Sequence, residues 1–355
     1  MKSKVYFISV KNSNSLEDIN GKLKVLLDKS RVLTFIPKEN KVAVKVHFGE
    51  EGNTGFVRPA HLRVICDEIA SSGGSAFLSD ANTLYRGRRL NSEDHLKLAY
   101  EHEFTKEITG VDVIIPDDTK KENIITVEIK QKLIKSAKLV RIFIDTDALV
   151  AVSHFKGHIL TGFGGALKNI GMGCATREGK LAQHCNVAPV VHSDRCIGCG
   201  ECEIICPASA VILINKKSEV ASSKCIGCAS CLAVCPTMAM FIDFNAGEKV
   251  QYKMAEYALA VLKDKKNKAG FINFAVRINK ECDCWDADNP RIAPDIGILA
   301  SNDPVSIDKA SFDLVNKACG KNIFKAAHPE QDGMKQLKYA QEIGLGNLDY
   351  ELIEL

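Results

Sequence analysis

The sequence predicts an α/β protein with a mostly parallel sheet, interrupted near its middle by a small cysteine-rich module with an α+β fold of its own. Strand-like and helix-like segments alternate on both sides of this module, which is typical of a sheet with helices on its faces. Two similar cysteine runs break the alternation. We therefore expect a host domain in two parts, residues 1–188 and 246–355, with the module at 189–245 between them.

The first part of the host begins with a predicted strand over 4–10. Ser15 and Asp18 then have the spacing of a capping box, which predicts a helix from there to about Ser30. The next predicted elements are strands over 42–48 and 75–79, a helix that begins at Pro59, a helix over 92–104, and strands near Val111, Ile124 and Leu139.

The second part of the host continues the same alternation. It is predicted to contain a helix over 247–263, strands over 271–278 and 296–300, and a helix over 304–318. Three consecutive domains are the alternative, but the segment after the module holds too few strands for a separate sheet. The sequence therefore favours one host domain into which the module is inserted.

The composition is that of an ordinary globular protein, because 46% of the 355 residues are hydrophobic, 26% are charged and the formal net charge is only +3. The densest basic run, 263–268, is broken by Asp264 and contains no aromatic residue, which favours a solvated helix end over a nucleic-acid site. The sequence contains neither a secretory signal nor about 18 consecutive apolar residues. We therefore predict a cytoplasmic protein without a nucleic-acid or membrane partner.

The cysteines are the most informative residues of the chain. Fourteen are present, and disulfides are rare in a reducing compartment, so metal or cluster binding is the better explanation. Residues 196–207 and 225–236 each have the pattern C-x₂-C-x₂-C-x₃-C-P, which is typical of bacterial ferredoxins with two [4Fe-4S] clusters. A zinc ribbon also uses C-x₂-C pairs, but it has no use for the third cysteine or for the proline.

In such a ferredoxin module, the fourth cysteine of each run binds the cluster of the other run. The sequence therefore predicts four ligands for each of two clusters: Cys196, Cys199, Cys202 and Cys235 for the first, and Cys225, Cys228, Cys231 and Cys206 for the second. Gly198 and Gly227 would let each loop bend around its cluster. Two adjacent clusters indicate electron transfer, with a redox partner protein or a small-molecule electron acceptor.

Three host loops that follow predicted strands contain candidate functional residues. Ligands of α/β sheets bind outside the carboxyl ends of the strands, so residues 47–50, 153–169 and 281–285 are expected to form a site. Hydrogen-bonded loop histidines are the alternative to a metal or substrate site at His47, His154 and His158. Close helix packing is the alternative to an anion or nucleotide site at a glycine-rich turn, formed by Gly162, Gly164, Gly165 and Lys168.

Six cysteines lie outside the module. Cys66 and Cys319 occupy apolar positions of predicted helices and are expected in the core. The other four lie in loops rich in Gly, His and Asp, where they could form a third metal or redox site: Cys174, Cys185, Cys282 and Cys284. Ordinary loop cysteines are the alternative.

Four host segments resemble one protein family, namely residues 154–158, 162–169, 282–284 and 295–304. Together with the two cysteine runs, they make the chain similar to the uncharacterised iron–sulfur-centre proteins of the family called domain of unknown function 362. This resemblance implies an α/β host with an inserted ferredoxin, and it carries no established reaction. Residues 54–60 are also similar to the front domain of nickel-dependent lactate racemases.

Three functions are compatible with these residues. The first is that of an electron-transfer protein or oxidoreductase, in which two clusters relay electrons to a site in the host domain. The second is an accessory protein that carries or matures metal centres, with the spare cysteines as transfer ligands. The third is a binding module that inert clusters only brace. The first is favoured, because a single cluster would suffice to brace a loop.

Overall fold

The computed structural model describes residues 2–36, 39–184, 188–241 and 249–355. The strands are β1 (Ser3–Ser9), β2 (Lys41–Lys45), β3 (Ser75–Ser79), β4 (Val113–Ile114), β5 (Ile124–Glu128), β6 (Ser136–Val140), β7 (Ala148–His154), β8 (Lys156–His158), β9 (Gly162–Gly164), β10 (Val190–Val191), β11 (Val211–Ile214), β12 (Lys217–Val220), β13 (Met240–Phe241), β14 (Ala269–Ala275), β15 (Gly297–Ser301) and β16 (Tyr350–Glu354).

The helices are α1 (Leu16–Ser30), α2 (Pro59–Ser71), α3 (Ser92–Glu101), α4 (Lys106–Thr109), α5 (Ile142–Asp145), α6 (Ala166–Gly171), α7 (Arg177–His184), α8 (Glu201–Ile204), α9 (Ser230–Val234), α10 (Val250–Leu262), α11 (Pro304–Cys319), α12 (Ile323–Ala327) and α13 (Met334–Glu342). Over the described ranges, no helix is both long and apolar enough to cross a membrane.

One eight-stranded sheet forms the centre of the host, in the order β16-β1-β15-β14-β7-β2-β3-β4. Every neighbouring pair in this sheet is parallel except the two pairs that contain β15, which runs antiparallel to both β1 and β14. The predicted α/β fold with a mostly parallel sheet is therefore confirmed. The carboxyl ends of all strands of this sheet other than β15 therefore lie at the same edge.

Both faces of the sheet are covered by helices. Helices α1 and α2 pack on one face, and α6, α10 and α11 pack on the other. Successive residues of β7 alternate between these two cores, because Leu149 and Ala151 belong to one and Val150 to the other. All seven residues of β7 and all seven of β14 are buried, as expected for central parallel strands.

The helix starts follow from local sequence. The Ser15 hydroxyl accepts a hydrogen bond from the Asp18 N–H at 3.1 Å, and the Asp18 carboxylate accepts one from the Ser15 N–H at 2.9 Å, so the predicted capping box of α1 is confirmed. Pro59 is the first residue of α2, and Pro304 is the first residue of α11.

The structure differs from the prediction after β4. Strands β5 and β6 pair antiparallel with each other and form a separate hairpin, so the strands expected near Ile124 and Leu139 do not continue the main sheet. Only seven residues connect them, which is too short for the crossover that parallel strands need. The predicted start of α10 at residues 247 and 248 lies outside the described residues.

Residues 188–241, named the cysteine-rich segment below, form two small antiparallel ribbons. One ribbon pairs β11 with β12, and the other pairs β10 with β13 at the base of the segment. Five of its buried residues other than cysteine surround the sulfur atoms, and two host leucines, Leu84 and Leu181, pack into the same core. The segment therefore has a core of its own that is closed by host side chains.

Candidate functional site

The two cysteine runs repeat in backbone conformation as well as in sequence. Gly198 and Gly227 both have a left-handed backbone, with φ of 69° and 70°, and Gly200 and Ala229 do so again at 83° and 63°. At Gly198 a Cβ atom would lie only 2.4 Å from the Lys216 carbonyl oxygen, so no other residue fits there. Each run therefore folds as the same tight loop, followed by the short helix α8 or α9.

Each of two small cavities in the cysteine-rich segment is lined by three cysteines of one run and the fourth cysteine of the other. The first is lined by Cys196, Cys199, Cys202 and Cys235. The second is lined by Cys225, Cys228, Cys231 and Cys206. These are the same two sets of four that the sequence predicts.

Backbone N–H groups point at several of these sulfur atoms. Cys206 Sγ accepts from the Ala210 N–H at 3.2 Å, and Cys235 Sγ accepts from the Ala239 and Met240 N–H groups at 3.2 and 3.4 Å. Burial would raise the pKa of the Cys206 and Cys235 thiols, but these hydrogen bonds outweigh it and lower both. The lining therefore favours thiolates at the two cysteines that change partners between the runs.

A much larger cavity, of about 880 Å³, lies in the host at the carboxyl ends of β2, β3 and β7. We call it the sheet-edge cavity. The three host loops that the sequence singles out all contribute to its wall, through His47 and Glu50, through residues 152–158, and through residues 282–286. A fourth loop, 80–89, forms much of the remaining wall.

Three buried ion pairs lie in the wall of this cavity. Lys45 pairs with Asp80 at 2.8 Å, Arg89 with Glu50 at 3.0 Å, and Lys156 with Asp283 at 3.1 Å. Asp80 stays ionised despite its burial, because Lys45, His47, His95 and Arg89 hold the pKa of its carboxyl below the ordinary range. These pairs fix the wall in one arrangement, since a buried charge without its partner is strongly destabilising.

Lys168 is a cation of the wall without a carboxylate partner among the described residues; Lys180 and Arg86, which also line the wall, donate to backbone carbonyls. No carboxylate within the described ranges lies within ion-pair distance of its ammonium group. Burial, and next the positive charge of Lys156, lower the pKa of Lys168 to about 7. Beyond its three buried ion pairs, the cavity therefore presents Lys168 as a cation to an anionic ligand.

Both ring nitrogens of His47 and of His154 are engaged by the protein. His47 receives the Gly49 N–H on Nδ1 at 3.0 Å and faces the Arg89 guanidinium with Nε2 at 2.8 Å. His154 faces the Asp283 carboxylate with Nδ1 at 2.7 Å and the Val276 carbonyl with Nε2 at 3.1 Å.

His158 uses Nδ1 to accept the N–H groups of Leu160 and Thr161, both at 3.2 Å, and burial keeps its pKa well below the ordinary value. Among the residues that the structure describes, no three His, Cys, Asp or Glu side chains are close enough together to hold one metal ion. The interpretation as hydrogen-bonded histidines of a cavity wall is therefore supported, and a metal or substrate site at these three residues stays a prediction.

The glycine-rich turn does not leave amides free for an anion. Gly162 and Gly164 belong to β9, which pairs with β8, and Gly165 precedes α6. The first two amides of α6, those of Ala166 and Leu167, donate to the Asp308 carboxylate of α11 at 2.7 and 3.0 Å. An internal carboxylate therefore already binds two of the backbone N–H groups beside the predicted anion site, which stays a prediction.

The same turn does bring two side chains to the cavity. Lys168 and Gly165 line its wall, and Asn169 does so beside them. The Asn169 amide accepts from Lys45 Nζ at 2.8 Å and donates to the Val152 carbonyl at 3.0 Å, which joins α6 to the ends of β2 and β7. The short helix α6 therefore positions cavity residues although its own N-terminus is capped.

Of the four loop cysteines of the predicted third site, the three that the structure describes do not all lie together. Cys174 is fully buried in the hydrophobic core, where burial raises the pKa of its thiol to about 12, so it is a neutral core side chain and does not line the cavity. Cys282 and Cys284 lie on the cavity wall and are joined by a disulfide. Cys185 lies outside the described residues. Cys66 is buried in α2 as expected, and Cys319 is half-buried at the end of α11.

Loop 80–89 is the part of the site that the sequence analysis missed. It supplies Asp80, Arg86 and Arg89, and it begins directly after β3. The rule that selected the other three loops, a polar residue just past the carboxyl end of a strand, also selects Asp80. Lys45 and Lys156 give no such signal, because they lie within strands and are buried only through their ion pairs.

The chain is similar to one protein family and to two solved structures. Residues 42–313 match the family described as "Domain of unknown function (DUF362)". The structure of the lactate racemase apoprotein from Thermoanaerobacterium thermosaccharolyticum is 16% identical, with a TM-score of 0.39, and the match covers 76% of this chain and 50% of that one. A structural-genomics protein from Thermotoga maritima is 12% identical, with a TM-score of 0.42, and the match covers 88% of this chain and 60% of that one.

This chain therefore spans about half to three fifths of the length of those two proteins. No curated protein matches it.

Proposed function

Because the matched residues 42–313 make up most of the chain, this protein belongs to the DUF362 family, whose description names no reaction; we propose that it is an iron–sulfur electron-transfer protein or redox enzyme. In this proposal two [4Fe-4S] clusters, held by the cysteine-rich segment, supply electrons to the sheet-edge cavity. The observation that carries the proposal is the lining of two small cavities by two crossed sets of four cysteines.

The donor set of each cavity fits a [4Fe-4S] cluster. Four cysteines are the ligand set such a cluster takes, and a cubane spaces its sulfur ligands more widely than a single ion does. The first set would be Cys196, Cys199, Cys202 and Cys235, and the second Cys225, Cys228, Cys231 and Cys206. Bound there, the clusters would accept and release single electrons.

The residues around the sulfur atoms would set the reduction potential of each cluster. The amides of Ala210, Ala239 and Met240 donate to cysteine sulfurs, and the Ser218 hydroxyl lies 3.1 Å from Cys202 Sγ. Hydrogen bonds to the sulfurs stabilise the negative charge that a cluster gains on reduction and so raise its potential. Cys199 is exposed, so the first site is the one that a redox partner protein or small-molecule acceptor can reach from solvent.

Loop 80–89 connects the cysteine-rich segment to the sheet-edge cavity. Leu84 lies in the core of the segment and also lines the cavity. Arg86 donates to the carbonyl of Pro236, the residue after Cys235, at 2.7 Å. Loop 80–89 thus contacts both the cysteine-rich segment and the sheet-edge cavity, between which the electrons would pass.

The test is to purify the protein without oxygen and to measure its iron, acid-labile sulfide and electron paramagnetic resonance spectrum before and after reduction. We expect about eight irons and eight sulfides per chain, and a spectrum of reduced [4Fe-4S] clusters that disappears when an acceptor is added. Zinc, or no metal, at these cysteines would contradict the proposal. Net transfer of iron to an apo-acceptor would instead favour an accessory protein that carries metal centres.

A further inference from the structure

The Cys282–Cys284 disulfide lies on the wall of the sheet-edge cavity, where the proposed function needs an electron acceptor. We infer that these two cysteines form a dithiol–disulfide couple that stores two electrons at the cavity. This inference rests on the proposed function of the cysteine-rich segment. It gives the host domain a redox group of its own, made only of protein.

The loop that carries the disulfide is fixed at each residue. The Cys282 carbonyl accepts from the Trp285 N–H at 3.2 Å, and the Asp283 carbonyl accepts from the Glu50 N–H at 2.9 Å. The Asp283 side chain, buried between the two cysteines, holds His154 at 2.7 Å and Lys156 at 3.1 Å. The two sulfur atoms therefore stay beside each other whether or not they are bonded.

The disulfide is also tied to the cysteine-rich segment, through loop 80–89 of the cavity wall. The Tyr85 hydroxyl donates to the Cys284 carbonyl at 3.1 Å, and the neighbouring residue Arg86 donates to the Pro236 carbonyl at 2.7 Å. Pro236 follows Cys235, which lines the first small cavity. The adjacent residues Tyr85 and Arg86, through one hydrogen bond each, thus connect the disulfide to the residue that follows a predicted cluster ligand.

The redox step balances without a further reactant. The S–S bond breaks, each sulfur takes up one electron and one proton, and two thiols form. The electrons come singly from a one-electron iron–sulfur donor, which is oxidised, and the protons come from solvent in the cavity. The couple would convert two one-electron deliveries into the two-electron reducing equivalent that most organic reductions require.

The experiment measures the two cysteines directly. Trypsin cuts after Lys280 and Arg291, so one peptide carries both cysteines and no other. Oxygen-free holoprotein is reduced with photoreduced deazaflavin, quenched with an alkylating reagent, digested, and analysed by mass spectrometry. We expect this peptide to change from unlabelled to doubly alkylated, with two electrons consumed beyond those taken up by the clusters.

Two comparisons show whether the electrons pass through the segment. In the C206A/C235A double variant, which lacks one predicted ligand of each cluster, the peptide should stay oxidised under the same light and still be reduced by a phosphine. In Arg86→Gln the light-driven reduction should slow several-fold, while the reaction with phosphine is unchanged. Arg63→Gln is the matched control, because Arg63 is exposed on α2 and pairs with Asp67 of the same helix.

The outcomes separate this inference from the proposed function. Holoprotein without iron and sulfide would overturn both. Two outcomes with clusters present and reduced would overturn the couple alone. In the first, the peptide stays oxidised. In the second, the peptide is already doubly alkylated before reduction and cannot be oxidised again. Equal light-driven reduction of the peptide in the C206A/C235A variant would show that the electrons bypass the cysteine-rich segment, and this also overturns the inference.

Discussion

The role of a single side chain in the sheet-edge cavity depends on its hydrogen-bond partners. His154, the last residue of β7, has acceptors at both ring nitrogens, whereas His47, two residues past the end of β2, has donors at both. The Gly49 N–H takes the Nδ1 lone pair of His47, so this nitrogen has none left for a metal. The sequence predicted where these residues lie, but it carries no information on the partners, which are up to 129 residues away.

Cys206 is the residue at which the crossed arrangement of the cysteine-rich segment is tested most directly. It belongs to the first run but lines the cavity of the second. Changing Cys206 to Ala should remove the cluster held by the second run and lower the iron content from about eight to about four per chain. Metal analysis and the spectrum of the reduced protein measure this change.

Cys66→Ala is the matched control, since Cys66 is buried in α2 and far from both runs in sequence. Loss of the first-run cluster alone in the Cys206 variant would contradict the crossed assignment.

Lys168 predicts a particular dependence of stability on pH. Its pKa falls from the ordinary 10.5 to about 7, so in the folded protein it loses its proton above about pH 7, while the unfolded chain keeps it to about pH 10.5. Between these values the unfolded state binds more protons, and native stability therefore rises with pH. A Lys168→Met variant lacks this pH dependence of stability. Its melting temperature should therefore exceed that of the native protein most at pH 6 and progressively less at pH 7.5 and 9.

Lys97→Met provides the control, because Lys97 is exposed on α3. A stability difference for Lys168→Met that stays constant over this pH range would mean that Lys168 does not titrate near neutrality in the folded protein.

At the scale of single elements, the short helix α6 shows what a local pattern can and cannot predict. The glycine-rich turn predicted a helix start beside the site, and α6 does begin there. The same pattern suggested free amides, yet those amides bind Asp308, 142 residues away along the chain. Strands β5 and β6 show the same limit, because their strand character was evident but their pairing depended on the length of the connection.

Asp308→Asn should therefore destabilise α6. The native carboxylate accepts three hydrogen bonds, from Ala166, Leu167 and the Asn273 amide, at 2.7, 3.0 and 2.8 Å. An asparagine would turn its NH₂ group toward one of these donors and leave a buried N–H unsatisfied, at a cost of about 1–3 kcal/mol in the free energy of unfolding.

The cost in this variant should shrink at low pH. Burial raises the pKa of Asp308 to about 6 despite its hydrogen bonds, so below that pH the native carboxyl is itself protonated and resembles an amide. Chemical unfolding at pH 7.5 and pH 5 measures the difference. Asp313→Asn, on the exposed side of α11, should cost less than about 1 kcal/mol at either pH. An equal cost for both variants at pH 7.5 would contradict this account of α6.

For the whole molecule, the sequence was most reliable where its signals are local and repeated. The alternation of strands and helices predicted the mostly parallel sheet. The tandem cysteine runs predict two crossed sets of cluster ligands, and each set lines one small cavity. The order of the eight strands and the antiparallel direction of β15 depend on contacts between distant segments, such as Tyr6 with Ala300, and no local pattern encodes them.

Removal of residues 189–245 tests whether the cysteine-rich segment is an insertion in the host. The two ends of the segment lie side by side, because Val190 pairs with Phe241 and Val191 with Met240. A short glycine–serine linker can therefore replace it, and we expect the host to retain its circular dichroism spectrum and a cooperative thermal transition.

Deletion would expose Leu84 and Leu181, which pack against the segment. A second version with serine at both positions separates aggregation through this apolar surface from failure to fold. Absence of a cooperative transition in both versions would show that the host depends on the segment.

The wall of the sheet-edge cavity contains the chain's single tryptophan, Trp285, directly after Cys284 and 44% exposed. Because no other tryptophan contributes, the protein's indole fluorescence comes from this one place. A disulfide beside an indole quenches its emission, so opening of the Cys282–Cys284 bond should brighten the protein, and a ligand that enters the cavity should shift the colour of the emitted light. The molecule thus carries a built-in optical reporter, which can be used to screen for the unknown ligand before any reaction is known.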